Sequence, residues 1–297
     1  MPEWDAEVAI DAPLVRSLLS EQFPDLDAGS ARLVGEGWDN SVWVVEEAWA
    51  FRFPRRAIAI PGVEREIAVL PLLAPLLPAP IPEPHFVGVP SERFAWPFFG
   101  APLLSGREPA EAELGDETRI ELGAQLGRFL RALHDVELDV SLPDDPIRRA
   151  DMPFRVARTR EKLAVLESWR PPRELDDVLV AAEQLPPSTN SAVTHGDLHL
   201  RHLLVDDGAL TGVIDWGDMC RSDPAIDLMV VWSLLPPAGR ERFLVEYGSV
   251  GEDARLRARV LAVFLGITLA LYARAVGHES LERECLAGLD RTLADWD

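Results

Sequence analysis

Seven carboxylates and three imidazoles crowd into the stretch running from Val193 to Asp227, VTHGDLHLRHLLVDDGALTGVIDWGDMCRSDPAID, and two of the acids frame its centre. Asp197 has His195, His199 and His202 around it, and Asp215 follows further on. Between the two acids lie the apolar runs Leu203 to Val205 and Leu210 to Ile214, joined by Asp206-Asp207-Gly208. That pattern predicts a β-hairpin. One acid precedes its first strand and the other follows its second, so a tight hairpin brings both to one end of the sheet. Acids placed so, with imidazoles beside them, suit a site that binds a divalent cation and takes a proton from a hydroxyl. Phosphoryl transfer needs both functions, because its transition state spreads negative charge over phosphate oxygens while a carboxylate orients the attacking group. Singly, Asp206, Asp207 and Asp215 read as turn acids and the histidines as solvated loop residues. Their order, HGD, strand, turn, strand, IDWGD, is what carries the chemistry.

That order resembles the signature of the aminoglycoside and macrolide phosphotransferases, small-molecule kinases with a protein-kinase-like fold. HGDLHLRHLLV, GVIDWGD and DPAIDL are the residues that carry the resemblance. It implies that Asp197 is the catalytic acid, that Asp215 holds magnesium, and that Asp227 supports the catalytic loop from the following helix, with His195 in the same supporting role. Where most such sequences carry Asn five residues after the catalytic Asp, this one has His202, a replacement similar to that of the macrolide-type branch. His202 is therefore expected on the metal side with Asp215.

The elements that must position these groups start with a short helix over 13–23. Three strand-like pieces follow: Ala31 to Gly35, Val42 to Val45 and Ala48 to Phe53. Between the first two lies Gly35-Glu36-Gly37-Trp38-Asp39-Asn40-Ser41, a loop that can lay backbone N–H groups over phosphates, with Asn40 and Ser41 at its exit, and that also describes an ordinary hairpin turn. The third piece puts Arg52 where the resembled family has a phosphate-contacting Lys paired to a Glu on the next helix; Arg offers a planar fork for the same task. In VEREIAVLPLLAPLL the family pattern selects Glu66 as that partner, with Glu64 second. FAWPFFGAPLLSG reads as a strand running into a connector. By resemblance, backbone groups of about Phe98 to Ala101, Phe98 and Gly100 among them, meet the nucleotide base there, and the aromatic rings read equally well as core.

From Asp116 the pattern turns helical. Leu122, Leu126, Phe129, Leu130 and Leu133 fall on one face of a long amphipathic helix ending at His134, which reads as structural. Residues 139–150 form a Pro and Asp-rich loop. Helices are expected over 154–169 and 173–185, and, after the catalytic stretch, at about Pro224 to Leu235, Ala238 to Tyr247, Asp253 to Val276 and Glu279 to Trp296. The fold class is α+β, protein-kinase-like: a small β-rich N-terminal lobe over 1–100 that binds nucleotide, and a larger, mainly helical C-terminal lobe over 101–297 for catalysis and substrate.

Acids outnumber bases 50 to 29, a net charge of −21, which argues against nucleic acid or an anionic membrane surface as partner and is compatible with a cationic substrate. Apolar runs such as Val260 to Leu271 are interrupted by Gly266 and Thr268, and the acidic start MPEWDAEVAIDAP lacks the features of a signal peptide, so a soluble cytoplasmic protein is expected. Cys220 and Cys285 lack metal-ligand spacing, and Cys220 reads as a small buried side chain. The expected activity is transfer of the γ-phosphate of ATP or GTP, with Mg2+, to a hydroxyl of a small molecule such as an aminoglycoside, a macrolide or a metabolic alcohol. A catalytically silent nucleotide-binding regulatory protein of the same fold is the alternative, motivated by Arg52 and His202.

Overall fold

The computed structural model describes residues 6–37 and 39–294, and over these the chain forms two compact units. One holds everything described up to Pro75, then Pro80–Leu104 and the short return Asp215–Asp218; the other holds Leu76–Ala79, Ser105–Ile214 and the described residues from Met219 onward. A single cut at 100/101 thus becomes a cut after Leu104 with two exchanges of chain. The exchange at Asp215–Asp218 sends the IDWGD acids to the first unit.

That unit opens with α1 (Ala12–Gln22), capped by the Asp11 carboxylate, which accepts from Leu14 N at 2.9 Å. Then come β1 (Arg32–Glu36), β2 (Asn40–Val45), β3 (Trp49–Pro54), α2 (Ile60–Leu73), β4 (Phe86–Gly88) and β5 (Phe98–Pro102). The strands form one antiparallel sheet in the order β1-β2-β3-β5-β4. Alternation along β3 decides the site: Phe51 and Phe53 point into an aromatic core with Phe98, Val15, Leu18 and Leu19, so Arg52 is left on the other face. Phe53 and Phe98 stack with centroids 4.6 Å apart. Each fully buried side chain of this size contributes about 1.5–3 kcal/mol, which is what fixes the height and register of β3. On Arg52's face α2 packs through Val63 and Ile67 against Phe99 and Ala101 of β5. Helix α2 begins three residues before the expected VEREIAVL segment and ends at Leu73, two residues past Pro71.

The second unit contains α3 (Pro109–Ala112), α4 (Asp116–His134), α5 (Met152–Leu163), α6 (Glu174–Glu183), β6 (Ala192–Thr194), β7 (Leu203–Asp206), β8 (Ala209–Val213), β9 (Cys220–Ser222), α7 (Ala225–Leu234), α8 (Pro237–Tyr247), α9 (Glu252–Val276) and α10 (Glu279–Leu293). The expected hairpin is β7–β8, and α4 buries the predicted Leu122, Leu126, Phe129, Leu130 and Leu133. A second small sheet, β6 with β9, has strands too short to leave a periodic signal in sequence. Helix α7 is apolar on every side and buried on every side, so it lies in the core and carries Asp227 there. Helix α9 runs unbroken through Gly266 and Thr268; by length and composition it is the one described helix able to cross a membrane, and in this unit it packs among α5, α6, α7 and α10. Trp38 and Trp296, named in the loop and last-helix expectations, lie outside the described residues, as does the start MPEWD.

Cys220 in β9 and Cys285 in α10 are both buried, and burial pushes their thiols up to about 11 and about 12. A raised thiol pKa favours the folded state fully below the unfolded value near 9 and loses that contribution as pH rises through the folded one. Neither thiol should react with a disulfide reagent such as Ellman's at pH 8 in the folded protein, and both should react in denaturant. Two fast-reacting thiols under native conditions would contradict this burial.

Candidate active site

The phosphate-side half of the expected site lies within the first unit. Arg52 reaches Glu66 of α2 with one guanidinium nitrogen at 3.2 Å and Asp215 Oδ1 with the other at 2.9 Å. Glu66 Oε1 also accepts from the backbone N–H of Trp216 at 3.2 Å. Arg65, beside Glu66 in sequence, donates to the carbonyl of Gly217 at 2.8 Å. The Asp215–Asp218 segment is therefore stitched to α2 and β3 by neighbours on both. Gly62 permits the approach: a Cβ there would stand 2.9 Å from the Gly217 carbonyl oxygen. Asp215 adopts φ 65°, a left-handed conformation that costs a non-glycine residue about 1–3 kcal/mol and that these contacts hold in place.

The three charges in this triad differ in character. Burial disfavours the Arg52 cation, but Asp215 and Glu66 outweigh it and raise its pKa further. Burial pushes the Glu66 carboxyl up to about 7 against the pull of Arg52, with Asp215 adding to the rise. Glu66 is fully buried and its Oε2 has no hydrogen-bond partner, the physical reason its charge is poorly supported. Asp215 is the open member, its side chain 47% exposed. An exposed carboxylate is a hard oxygen ligand and suits magnesium.

The β1–β2 loop is held from below by residues the sequence reading did not single out. Arg55 donates to the Gly37 carbonyl at 2.8 Å, and Arg56 pairs with Asp39 at 2.8 Å. Asn40 begins β2, its side-chain oxygen buried without a partner, whereas the Ser41 hydroxyl is buried and accepts from the Trp43 indole at 3.3 Å. Phe98 and Gly100 sit within β5 between β3 and β4, Phe98 in the core and the Gly100 carbonyl accepting from His85 N at 2.8 Å. Their backbone is engaged by the sheet, and pairing with β4 ends at Gly100. The next carbonyl on that side, by strand alternation, belongs to Pro102.

The proton-side half lies within the second unit, on the loop between β6 and β7. Asp227, fully buried on α7, accepts from His195 N at 2.8 Å and Gly196 N at 3.1 Å. His134 Nε2 lies 3.2 Å from the same carboxylate, and Nδ1 lies 2.8 Å from the Tyr247 hydroxyl. Gly196 has φ 89°, a turn that a Cβ would strain, immediately before Asp197. The His195 ring accepts from Asp197 N through Nδ1 at 3.3 Å and donates through Nε2 to the Ile214 carbonyl at 2.9 Å. Ile214 N donates in turn to the His202 carbonyl at 2.9 Å, so the end of β8, one residue before Asp215, is tied to the catalytic loop.

Asp197 itself is bracketed by imidazoles. His199 Nε2 lies 3.6 Å and His202 Nδ1 3.9 Å from Asp197 Oδ2, and His202 Nδ1 donates to the Asp197 carbonyl at 2.8 Å. The His199 and His202 rings lie 3.8 Å apart. Burial alone would raise the Asp197 carboxyl, but the His199 hydrogen bond and the charges of His199, His202 and Arg149 outweigh it and hold it below the usual carboxylate range. Asp197, His199 and His202 could together hold a metal ion, and any bond from His202 would use Nε2, since Nδ1 is committed to the carbonyl. His199, which the sequence sets beside Asp197 without a role of its own, is the nearer of the two imidazoles to the carboxylate. His195, Asp197, His202 and Asp227 come together in one unit, and Arg52, Glu66 and Asp215 in the other.

Known proteins bear on this arrangement. The model of the phosphotransferase enzyme family matches residues 30–261. An aminoglycoside 3'-phosphotransferase of Escherichia coli is 30% identical over 139 residues, 43% of this chain and 49% of that protein, so the match spans about half the length of the relative. A GDP and kanamycin complex of APH(2")-IIia superposes with a TM-score of 0.66 at 22% identity, covering 95% of this chain and 98% of the other. A macrolide 2'-phosphotransferase from Brachybacterium faecium gives 0.62 at 25% identity, covering 95% and 98%. Both superpositions extend across the β-sheet unit and the helical unit, an α+β fold.

Proposed function

This chain belongs to the phosphotransferase enzyme family, and from that premise we propose that it transfers the γ-phosphate of ATP or GTP to a hydroxyl of a small molecule. The acceptor classes for which its relatives are named, aminoglycosides and macrolides, are the first to try. The observation that carries the reading is Asp197, an ionised carboxylate on a loop whose backbone is pinned by Asp227 and His195. It accepts the proton of the acceptor hydroxyl as that oxygen forms its bond to the γ-phosphorus. The bond from phosphorus to the bridging oxygen breaks, and the nucleoside diphosphate leaves with that electron pair. A depressed pKa makes Asp197 an orienting acceptor more than a strong base, as suits a transition state with little bonding to the nucleophile.

Asp215 would offer magnesium a hard oxygen ligand within its own unit, and His202, within the helical unit, would offer Nε2 beside Asp197; the ion would supply neutralisation of phosphate charge. Imidazole nitrogen is the softer, weaker donor of the two. Arg52, anchored by Glu66, binds the phosphates, with the β1–β2 loop that ends at Asn40 and Ser41 offering backbone N–H groups. The base edge falls to Pro102, past the paired residues Phe98 and Gly100. A protein that uses ATP or GTP and magnesium in this way would work in the cytoplasm.

Nucleotide binding and hydrolysis, measured with and without magnesium, test the reading. Magnesium-dependent hydrolysis that rises on adding an acceptor is expected. Tight nucleotide binding with no turnover against a panel of antibiotics and alcohols would instead favour the regulatory alternative that Arg52 and His202 suggest.

A further inference from the structure

Helix α5 runs against the charge of the rest of the chain. Acids outnumber bases 50 to 29 overall, yet α5, MPFRVARTREKL, carries Arg155, Arg158, Arg160 and Lys162 against a single acid, Glu161. Arg158 and Arg160 are ion-paired, to Glu161 at 2.8 Å and Glu183 at 2.5 Å. Arg155 and Lys162, the only lysine in the chain, are different: among the described residues neither has a carboxylate within ion-pair distance. Both lie instead over the ring of Phe264 on α9, the Arg155 guanidinium carbon 4.3 Å and the Lys162 ammonium 5.6 Å from its centroid. Arg155 is 7% exposed, and its Nε donates to the Arg149 carbonyl at 3.1 Å. Burial lowers the pKa of both cations, to about 10 for Arg155, with Arg149 and Arg158 adding to the effect there and Arg158 and Arg155 at Lys162, while Asp145 and Asp151 on Arg155 and Glu161 on Lys162 oppose it in part. A ring face offsets part of the cost of a buried charge but does not neutralise it.

These cations stand at one end of an apolar surface that reaches the catalytic loop. Helix α9 presents Phe264, Leu265, Leu269 and Tyr272 along one face at helical spacing, none of them buried. Leu265 and Leu269 line a narrow pocket together with His199 and Leu200 of the catalytic loop. Arg149, whose carbonyl holds Arg155, is also one of the charges that act on Asp197. Through Phe264, Leu265 and Leu269 the α9 face therefore runs from the two cations to the loop that carries Asp197.

We propose that the acceptor is an apolar alcohol carrying an anionic group, its carboxylate or equivalent bound by Arg155 and Lys162, its body on the α9 face and its hydroxyl at Asp197. This deepens the phosphotransferase reading and rests on it. Polycations such as kanamycin meet the wrong sign of charge here, whatever the net charge of the whole chain.

The test is a series that varies only the end group: ω-hydroxyoctanoate, octanediol and 8-amino-1-octanol, with kanamycin as the polycation. Each is titrated calorimetrically into the protein saturated with magnesium and a non-hydrolysable nucleotide, and nucleotide affinity is measured separately. The hydroxy acid should bind about tenfold tighter than the diol, the worth of a charge-assisted hydrogen bond, and the amino alcohol weaker than the diol. Lys162→Arg should keep that order and Lys162→Glu should reverse it. Arg155→Met, checked for fold by circular dichroism, should flatten it. Equal affinities, a preference for the amine or kanamycin, or an unchanged order in Lys162→Glu overturns the proposal. So does failure of all four probes to bind a protein that does bind nucleotide, an outcome that leaves the kinase reading standing. Preference for the hydroxy acid in a protein without nucleotide binding would sink the kinase reading and keep the anion site.

Discussion

Asp197→Asn should lower magnesium-dependent turnover by roughly 10²-fold or more while nucleotide affinity stays near the parent value, the scale usual for a positioned acid or base. The substitution is nearly isosteric. It leaves in place the backbone contacts that build the loop: His195 N and Gly196 N to Asp227, and the Asp197 carbonyl to His202 Nδ1. What it removes is the charge, which His199, His202 and Arg149 stabilise against the cost of burial. Because the folded pKa is depressed, those partners add stability that is present above the unfolded carboxylate pKa and is lost as pH falls through the folded one. The variant should accordingly be slightly less stable than the parent near neutral pH, with the gap closing in acid. Steady-state rates, nucleotide titrations and urea melts at pH 7 and pH 4 check the three parts. Near-normal turnover in Asp197→Asn would remove this carboxylate from the chemistry.

The reach of the sequence into this site follows the range of the interactions involved. The β7–β8 hairpin, the buried face of α4 and the start of α7 are local, written in alternation, helical spacing and turn residues, and they lie within a residue or two of where those patterns put them. Glu66 as the partner of Arg52 was legible only because motif order supplied a long-range constraint; nothing in α2 itself separates Glu66 from Glu64. The pairing of β6 with β9 and the contact of Gly62 with Gly217 were not legible, since strands of three residues carry no period and a close backbone approach leaves no mark beyond two glycines. Ser41, Phe98 and Gly100 show the limit from the other side. Their positions in the chain match a nucleotide-binding pattern, yet the Ser41 hydroxyl and the Gly100 carbonyl already have partners inside the β-sheet unit. The charge of α5 was in plain view, but a count over the whole chain averaged it away.

Arg52 is the position at which removing one side chain should do the most damage to both stability and nucleotide affinity. In Arg52→Ala the fully buried Glu66 loses its counter-ion and keeps one hydrogen bond, from Trp216 N, while Asp215 loses the contact that helps hold its left-handed backbone. Deleting one partner of a buried pair typically costs about 3–5 kcal/mol, because the charge left behind is unsupported. Arg52→Lys keeps a charge but cannot span both carboxylates with a planar fork, so it should recover much of the nucleotide affinity and only part of the stability. The decisive variant is the double one. If the loss in Arg52→Ala comes from stranding Glu66, then Glu66→Gln in the same chain removes the stranded charge and should restore roughly half of the lost stability while leaving nucleotide affinity low. Its benefit should also grow with pH, since burial raises Glu66 to about 7 even with Arg52 present and the carboxylate is the costly form. Urea denaturation of the parent, Arg52→Ala, Glu66→Gln and the double variant at pH 6 and pH 8, with nucleotide titrations alongside, separates the two roles. Additive losses in the double variant would mean that Arg52 and Glu66 do not act as a pair, and unchanged nucleotide affinity in Arg52→Ala would mean that the phosphates are held elsewhere.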